Sequence, residues 1–102
     1  LFRYSALTFN GHRIHYDHPY VTQVEGYPGL IVHGPLMATL LLDLVRREAP
    51  EKLLTGFSFR GMSPVFDTAP FHVNGTPKDG GADLWIAGPG NYLGMQAQAT
   101  FG

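Results

Sequence analysis

A chain of 102 residues with seven basic against eight acidic side chains suffices for one small domain, and its formal charge of −1 offers no footprint for nucleic acid or anionic lipid. The absence of cysteine excludes disulfides, thiolate metal sites and a cysteine nucleophile. With 44% hydrophobic residues, 13 glycines and 8 prolines it reads as a globular chain of strands and tight turns, whose longest apolar run, around Leu40, is too short to cross a bilayer.

Residues 1–9 mix aromatic, β-branched and small side chains (Phe2, Tyr4, Leu7, Thr8, Phe9) and predict a strand running into a loop. That loop, Asn10-Gly11-His12-Arg13-Ile14-His15-Tyr16-Asp17, is dense in hydrogen-bonding groups for so apolar a chain, as functional loops often are. Asp17 predicts the cap of a short helix through Val24, with Pro19 in its first turn; alternatively it orients His15, two residues away. Gly26, Pro28 and Gly29 end that helix and turn the chain.

The central element is a helix from about residue 35 to 48. Leu36, Met37, Ala38, Leu40, Leu41, Leu42, Leu44 and Val45 make it apolar almost all round, so cover on most sides is expected. Pro35 suits the first helical position, Arg46 and Arg47 complement the negative helix end, and Pro50 stops it. Gly34 removes a side chain where the first turn presents unpaired amides, so a carbonyl or anion can approach the N–H groups of Gly34, Leu36 and Met37.

Alternation then replaces the helical period. Phe57 and Phe59 oppose Ser58 and Arg60, and residues 65–73 predict a strand interrupted near Pro64 and Pro70. A hairpin turn is expected at 77–81, followed by Leu84 and Ile86 alternating with Asp83 and Trp85. After a turn at 88–91, Leu93, Met95, Ala97, Ala99 and Phe101 face one way and Gln96, Gln98 and Thr100 the other. One helix and at least three antiparallel strands predict an α+β domain over 1–102 in which the sheet wraps the helix. Its open edge favours pairing in a symmetric dimer.

Two segments resemble a known family. Thr8-Phe9-Asn10-Gly11-His12-Arg13-Ile14-His15-Tyr16-Asp17 and Glu25-Gly26-Tyr27-Pro28-Gly29-Leu30-Ile31-Val32-His33-Gly34-Pro35-Leu36 are similar to the signature of hot-dog-fold MaoC-like and (R)-specific enoyl-thioester hydratases. Within these they look closest to the 3-methylfumaryl-CoA hydratase and mitochondrial 3-hydroxyacyl-thioester dehydratase group; residues 57–60 followed by Pro64, Val65 and Phe66 also fit. The resemblance implies a hot-dog fold, a homodimer or pairing with a second hot-dog half, and reversible hydration of an enoyl thioester, such as a mesaconyl-type CoA ester. It implies no metal and no cofactor beyond the CoA or acyl carrier of the substrate, and a cytoplasmic location, or a mitochondrial one in a eukaryote. Members of the closer group are longer, so the chain is expected to match the catalytic C-terminal half of a double hot dog.

By motif position His15 matches the catalytic histidine and Gly34 the glycine whose N–H receives the thioester carbonyl. Asn10 stands where many members have an aspartate. Histidine can act as base and acid near neutrality; asparagine cannot accept a proton, so Asn10 is assigned to holding water. Gly29, Ile31, His33, Leu36 and Arg60 are candidate substrate-binding residues. His33 also reads as fixing the loop by hydrogen bonding, and Arg60, like Arg13, as a solvated side chain. His12 and His18 read as structural or surface residues, and Tyr16, Tyr20, Tyr27 and Trp85 as lining of an acyl tunnel or simple packing. Two alternatives remain: a hot-dog acyl-CoA thioesterase, disfavoured by the shortage of carboxylates near the helix start, and a non-catalytic acyl-thioester-binding or assembly half.

Overall fold

Alternating residues build the second half of the chain and a helical stripe covers one face of it. The computed structural model describes residues 1–7 and 12–102. In order these form helix α1 (Phe2–Leu7), a 3-10 turn (Arg13–His15), helices α2 (His18–Gln23) and α3 (Gly34–Glu48), and strands β1 (Leu54–Gly61), β2 (His72–Lys78), β3 (Gly81–Ala87) and β4 (Leu93–Phe101). Among the described residues no helix is long and apolar enough to cross a membrane.

The strands form one antiparallel sheet in the order β1-β4-β3-β2. Phe57 pairs with Ala99, Leu84 with Ala97, and Ile86 with Met95, so the apolar members of each strand share a face. Against that face α3 lays a stripe of Met37, Ala38, Leu41 and Val45. Ala97 and Ala99 are small enough to let the helix approach β4 closely. Fully burying Leu41 contributes about 2 kcal/mol.

Cover on most sides of α3 is not what the structure has. Its sheet lies along one side, and Leu40 and Leu42 stay half-buried while Thr39, Asp43, Arg46 and Arg47 face outward. A single four-stranded sheet supplies one apolar face, which one helical stripe fills.

Two strand expectations are corrected. Residues 2–7 form α1 rather than a strand; Ser5 N–H bonds to the Leu1 carbonyl at 2.9 Å, and both Tyr4 and Ser5 reach His33. A strand would send adjacent side chains to opposite faces, whereas one helical turn can put both on the same neighbour. Thr8 and Phe9 lie outside the described residues. Within 65–73 only Phe66 makes a bridge, to Ile31, and the ladder starts at His72, because Pro64 and Pro70 can donate nothing to it. Pro77 is tolerated within β2 because β2 is an edge.

The remaining punctuation falls as expected. Lys78 pairs with Gly81 across Asp79-Gly80, and Gly80 takes φ +74°, a left-handed conformation that suits glycine. Asp17 caps α2 by accepting the Tyr20 N–H at 3.1 Å, with Pro19 in the first turn.

Candidate active site

Residues 29–33 tie the polar turn to the start of α3. On one side the Ile31 N–H donates to the Ile14 carbonyl at 2.9 Å. On the other, Val32 N–H donates to the Val65 carbonyl at 2.8 Å, Leu30 N–H to Asp67 Oδ1 at 2.9 Å, and Asp67 N–H to the Leu30 carbonyl at 2.9 Å. Gly29 permits this closure, since a Cβ there would lie 2.7 Å from both Asp67 Oδ1 and Thr68 Cγ2. Packing thus accounts for Gly29, a candidate for substrate contact.

Held this way, the Ile31 carbonyl faces His15 and lies 2.6 Å from its Nδ1. A carbonyl oxygen only accepts, so Nδ1 must carry the hydrogen. In the neutral ring the lone pair therefore sits on Nε2, which has no hydrogen-bond partner among the described residues. His15 is buried, and its ring stacks on that of His33 with centroids 3.8 Å apart and planes at 17°. Asp17 does not orient it. That carboxylate caps α2 and pairs with Arg13 at 3.0 Å, and its pKa is lowered first by the Tyr20 N–H and then by Arg13, against desolvation.

His33 occupies the N-cap position of α3 without making a side-chain cap bond. Its Nε2 lies 2.7 Å from Ser5 Oγ, the Tyr4 ring meets it edge-on at 4.6 Å, and it is 1% exposed. Burial, reinforced by the charge of His15, lowers its pKa to about 4, so the ring is neutral near pH 7. The loop is thus held by hydrogen bonds of its backbone, while the His33 side chain reaches α1.

The helical ladder of α3 starts with Met37 N–H on the His33 carbonyl at 3.1 Å. The amides of Gly34 and Leu36 precede it, and Pro35 has none. Among the described residues a Cβ at Gly34 would meet only Met95 Cε, at 3.9 Å, so no side chain crowds the glycine that opens the helix. His15 therefore stacks on the residue that immediately precedes Gly34, and imidazole and helix start share one corner of the molecule. Beside that corner a cleft of about 580 Å³ is flanked by Val32, Leu36, Phe66 and Phe71.

Other expected residues lie elsewhere. Asn10 is outside the described residues. Arg60 pairs with Gln96, which points away from α3, so Arg60 and Trp85 belong to the outer face of the sheet. There they border an open concavity of about 670 Å³ remote from His15. Tyr20 hydrogen-bonds Glu25 at 2.8 Å, and Tyr27 packs at 5.7 Å on Phe66, one of the residues that flank the cleft. His12 and His18 are exposed. No group of three or more His, Cys, Asp or Glu among the described residues is placed to hold a metal. Sequence reasoning missed Tyr4 and Ser5, hidden in a segment read as a strand and too short for a helical period to show.

Comparison with known proteins bears on the family and the fold. The family model described as hydroxyacyl-thioester dehydratase type 2 matches residues 1–67. The chain belongs to that family. Among its relatives is a mesaconyl-C(4)-CoA hydratase of Chloroflexus aurantiacus, 50% identical over the whole chain, which covers 36% of that protein. Another is the mitochondrial hydroxyacyl-thioester dehydratase type 2 of Schizosaccharomyces pombe, 43% identical over 75 residues, or 72% of the chain and 25% of the relative. The chain thus spans about a third or less of the curated relatives it matches. In fold, this dehydratase-family chain superposes on the (R)-hydratase from A. caviae involved in PHA biosynthesis with a TM-score of 0.79 at 22% identity, over 98% of the chain and 82% of that structure. The likeness confirms the α+β hot-dog architecture.

Proposed function

We propose that the chain forms the catalytic unit of an enoyl-thioester hydratase that works reversibly as a 3-hydroxyacyl-thioester dehydratase. The observation that supports this most is the state of His15, with Nδ1–H on the Ile31 carbonyl, Nε2 without a hydrogen-bond partner among the described residues, and the ring beside the opening turn of α3. In the hydration direction Nε2 takes a proton from water and the oxygen bonds to Cβ. The double-bond electrons move onto the thioester oxygen, where the Gly34 N–H and the positive helix end stabilise the enolate. The enolate collapses as Cα takes the proton from Nε2, so one water is added and His15 returns to neutral. Asn10, by its place in the motif, would hold the water.

The names of the relatives favour a CoA ester, of mesaconyl type or of a longer acyl chain, as substrate. Leu36 and Val32, on the cleft beside Gly34, are the residues we assign to the acyl group. Pairing with a second hot-dog unit, in the same polypeptide or another copy, is part of the proposal, because β1 leaves one edge unpaired. A matrix or cytoplasmic location fits such an enzyme.

The test is to mix the protein with crotonyl-, mesaconyl- and longer enoyl-CoA esters and follow loss of the conjugated double bond, with a thiol reagent in parallel. Loss of the double bond without free CoA is expected. CoA release would indicate a thioesterase, and saturable binding without turnover an assembly half; either would overturn the proposal.

A further inference from the structure

His33 is 1% exposed, yet its Nδ1 has no hydrogen-bond partner among the described residues. An unpaired buried polar atom costs about 1–3 kcal/mol, and such atoms ask for an explanation beyond packing. Capping α3 is not that explanation, since the side chain makes no bond to the helix amides. What the ring does offer is a flat face laid on His15 at 3.8 Å and 17°, with its Nε2 edge held by the Ser5 hydroxyl at 2.7 Å and the Tyr4 ring meeting it edge-on at 4.6 Å.

An imidazole needs two restraints to aim a nitrogen. The bond from Nδ1–H to the Ile31 carbonyl fixes which edge of the His15 ring faces the backbone. It leaves the ring free to tilt about that bond. A flat partner in van der Waals contact removes the tilt, and reacting atoms misplaced by about 1 Å can cost about 10²-fold in rate.

We propose that His33 is a positioning residue for His15: its face, secured by Ser5 and Tyr4, sets the plane of the His15 ring so that Nδ1–H stays on Ile31 and Nε2 stays aimed at the reacting water. This rests on the hydration reading. Only a neutral ring suits the position, because a charge on His33 would repel the imidazolium that forms on His15 in each turnover. Burial keeps His33 in that neutral state near pH 7.

The test compares His33→Ala and His33→Phe with wild type, by kinetics and by nitrogen-15 spectra of the His15 ring. His33→Ala is expected to lower kcat roughly 10- to 100-fold, leave KM nearly unchanged, and turn a single Nδ1–H tautomer into a mixture. His33→Phe, which restores a flat face, is expected to recover most of kcat and the single tautomer. Wild-type kcat with one tautomer in His33→Ala, or no rescue by Phe, overturns the proposal. Should His33→Ala fail to fold, Ser5→Ala decides: a smaller loss of kcat with the same tautomer mixing supports it, and no change in either overturns it. His15→Gln, run alongside, separates the two readings. If it stays active the hydration mechanism fails; if it is inactive while the His33 and Ser5 variants behave as wild type, only this inference fails.

Discussion

In the body of the molecule Leu41, Ile86 and Met95 are buried among other apolar side chains, whereas in the corner that α1 shares with the start of α3 polar residues, Ser5, His15 and His33, are buried as well. The first region is organised by area: any set of apolar residues of the right period and volume brings α3 onto the sheet. The second is organised by individual partners, the His15 Nδ1–H donating to the Ile31 carbonyl and Ser5 Oγ sharing a hydrogen bond with His33 Nε2. A change in the body should therefore alter stability and a change in the corner should alter chemistry.

The sharpest way to break that division is His15→Gln, which keeps a donor for Ile31 and removes the base. It should lower kcat by about 10³-fold or more, with its melting temperature near that of wild type. Leu41→Ala, at a site with no solvent exposure, should do the reverse. We expect a loss of about 3–4 kcal/mol in urea unfolding, with kcat of the folded fraction close to wild type.

The third prediction uses pH. The folded pKa of His33, about 4, lies below its ordinary value of 6.5, so its neutral form is the one favoured by folding. Its contribution is intact above pH ~6.5 and is lost as pH falls toward 4, because the unfolded chain takes a proton that the native ring refuses. The loss reaches at most about 3 kcal/mol. Urea midpoints at pH 7 and 4.5 should draw closer together in His33→Phe than in wild type; an identical gap would contradict the assignment. The smallest effect is expected at Arg60, on the outer sheet face. Arg60→Ala should change kcat/KM for CoA esters less than about twofold, since exposed charges far from a site act weakly through solvent.

The same contrast explains what could be read from residues alone. β3 and β4 were legible because Leu84, Ile86, Met95, Ala97 and Ala99 repeat with the period of the pleat, and α3 because Pro35 and Pro50 bracket an apolar run. Segment 1–7 was not, because six residues are too few for a helical period to stand out and Phe2, Tyr4 and Leu7 suit either structure. At the site, His15 and Gly34 were visible through their motif. Their connection was not, because it runs through the backbone carbonyl of Ile31 and the face of His33, and neither is named by a residue type. Arg60 was attractive for its charge, and only the register with Gln96 reveals that it points away from α3.

The central claim is that the His15 imidazole and the opening amide of α3 serve one bound thioester. Titrating nitrogen-15-labelled protein with butyryl-CoA, a saturated ester that cannot be hydrated, tests it directly. The account predicts that the His15 ring nitrogens and the Gly34 amide shift together with one binding curve. Shifts confined to the outer face around Arg60 and Trp85, or reaching only one of the two groups, would contradict it.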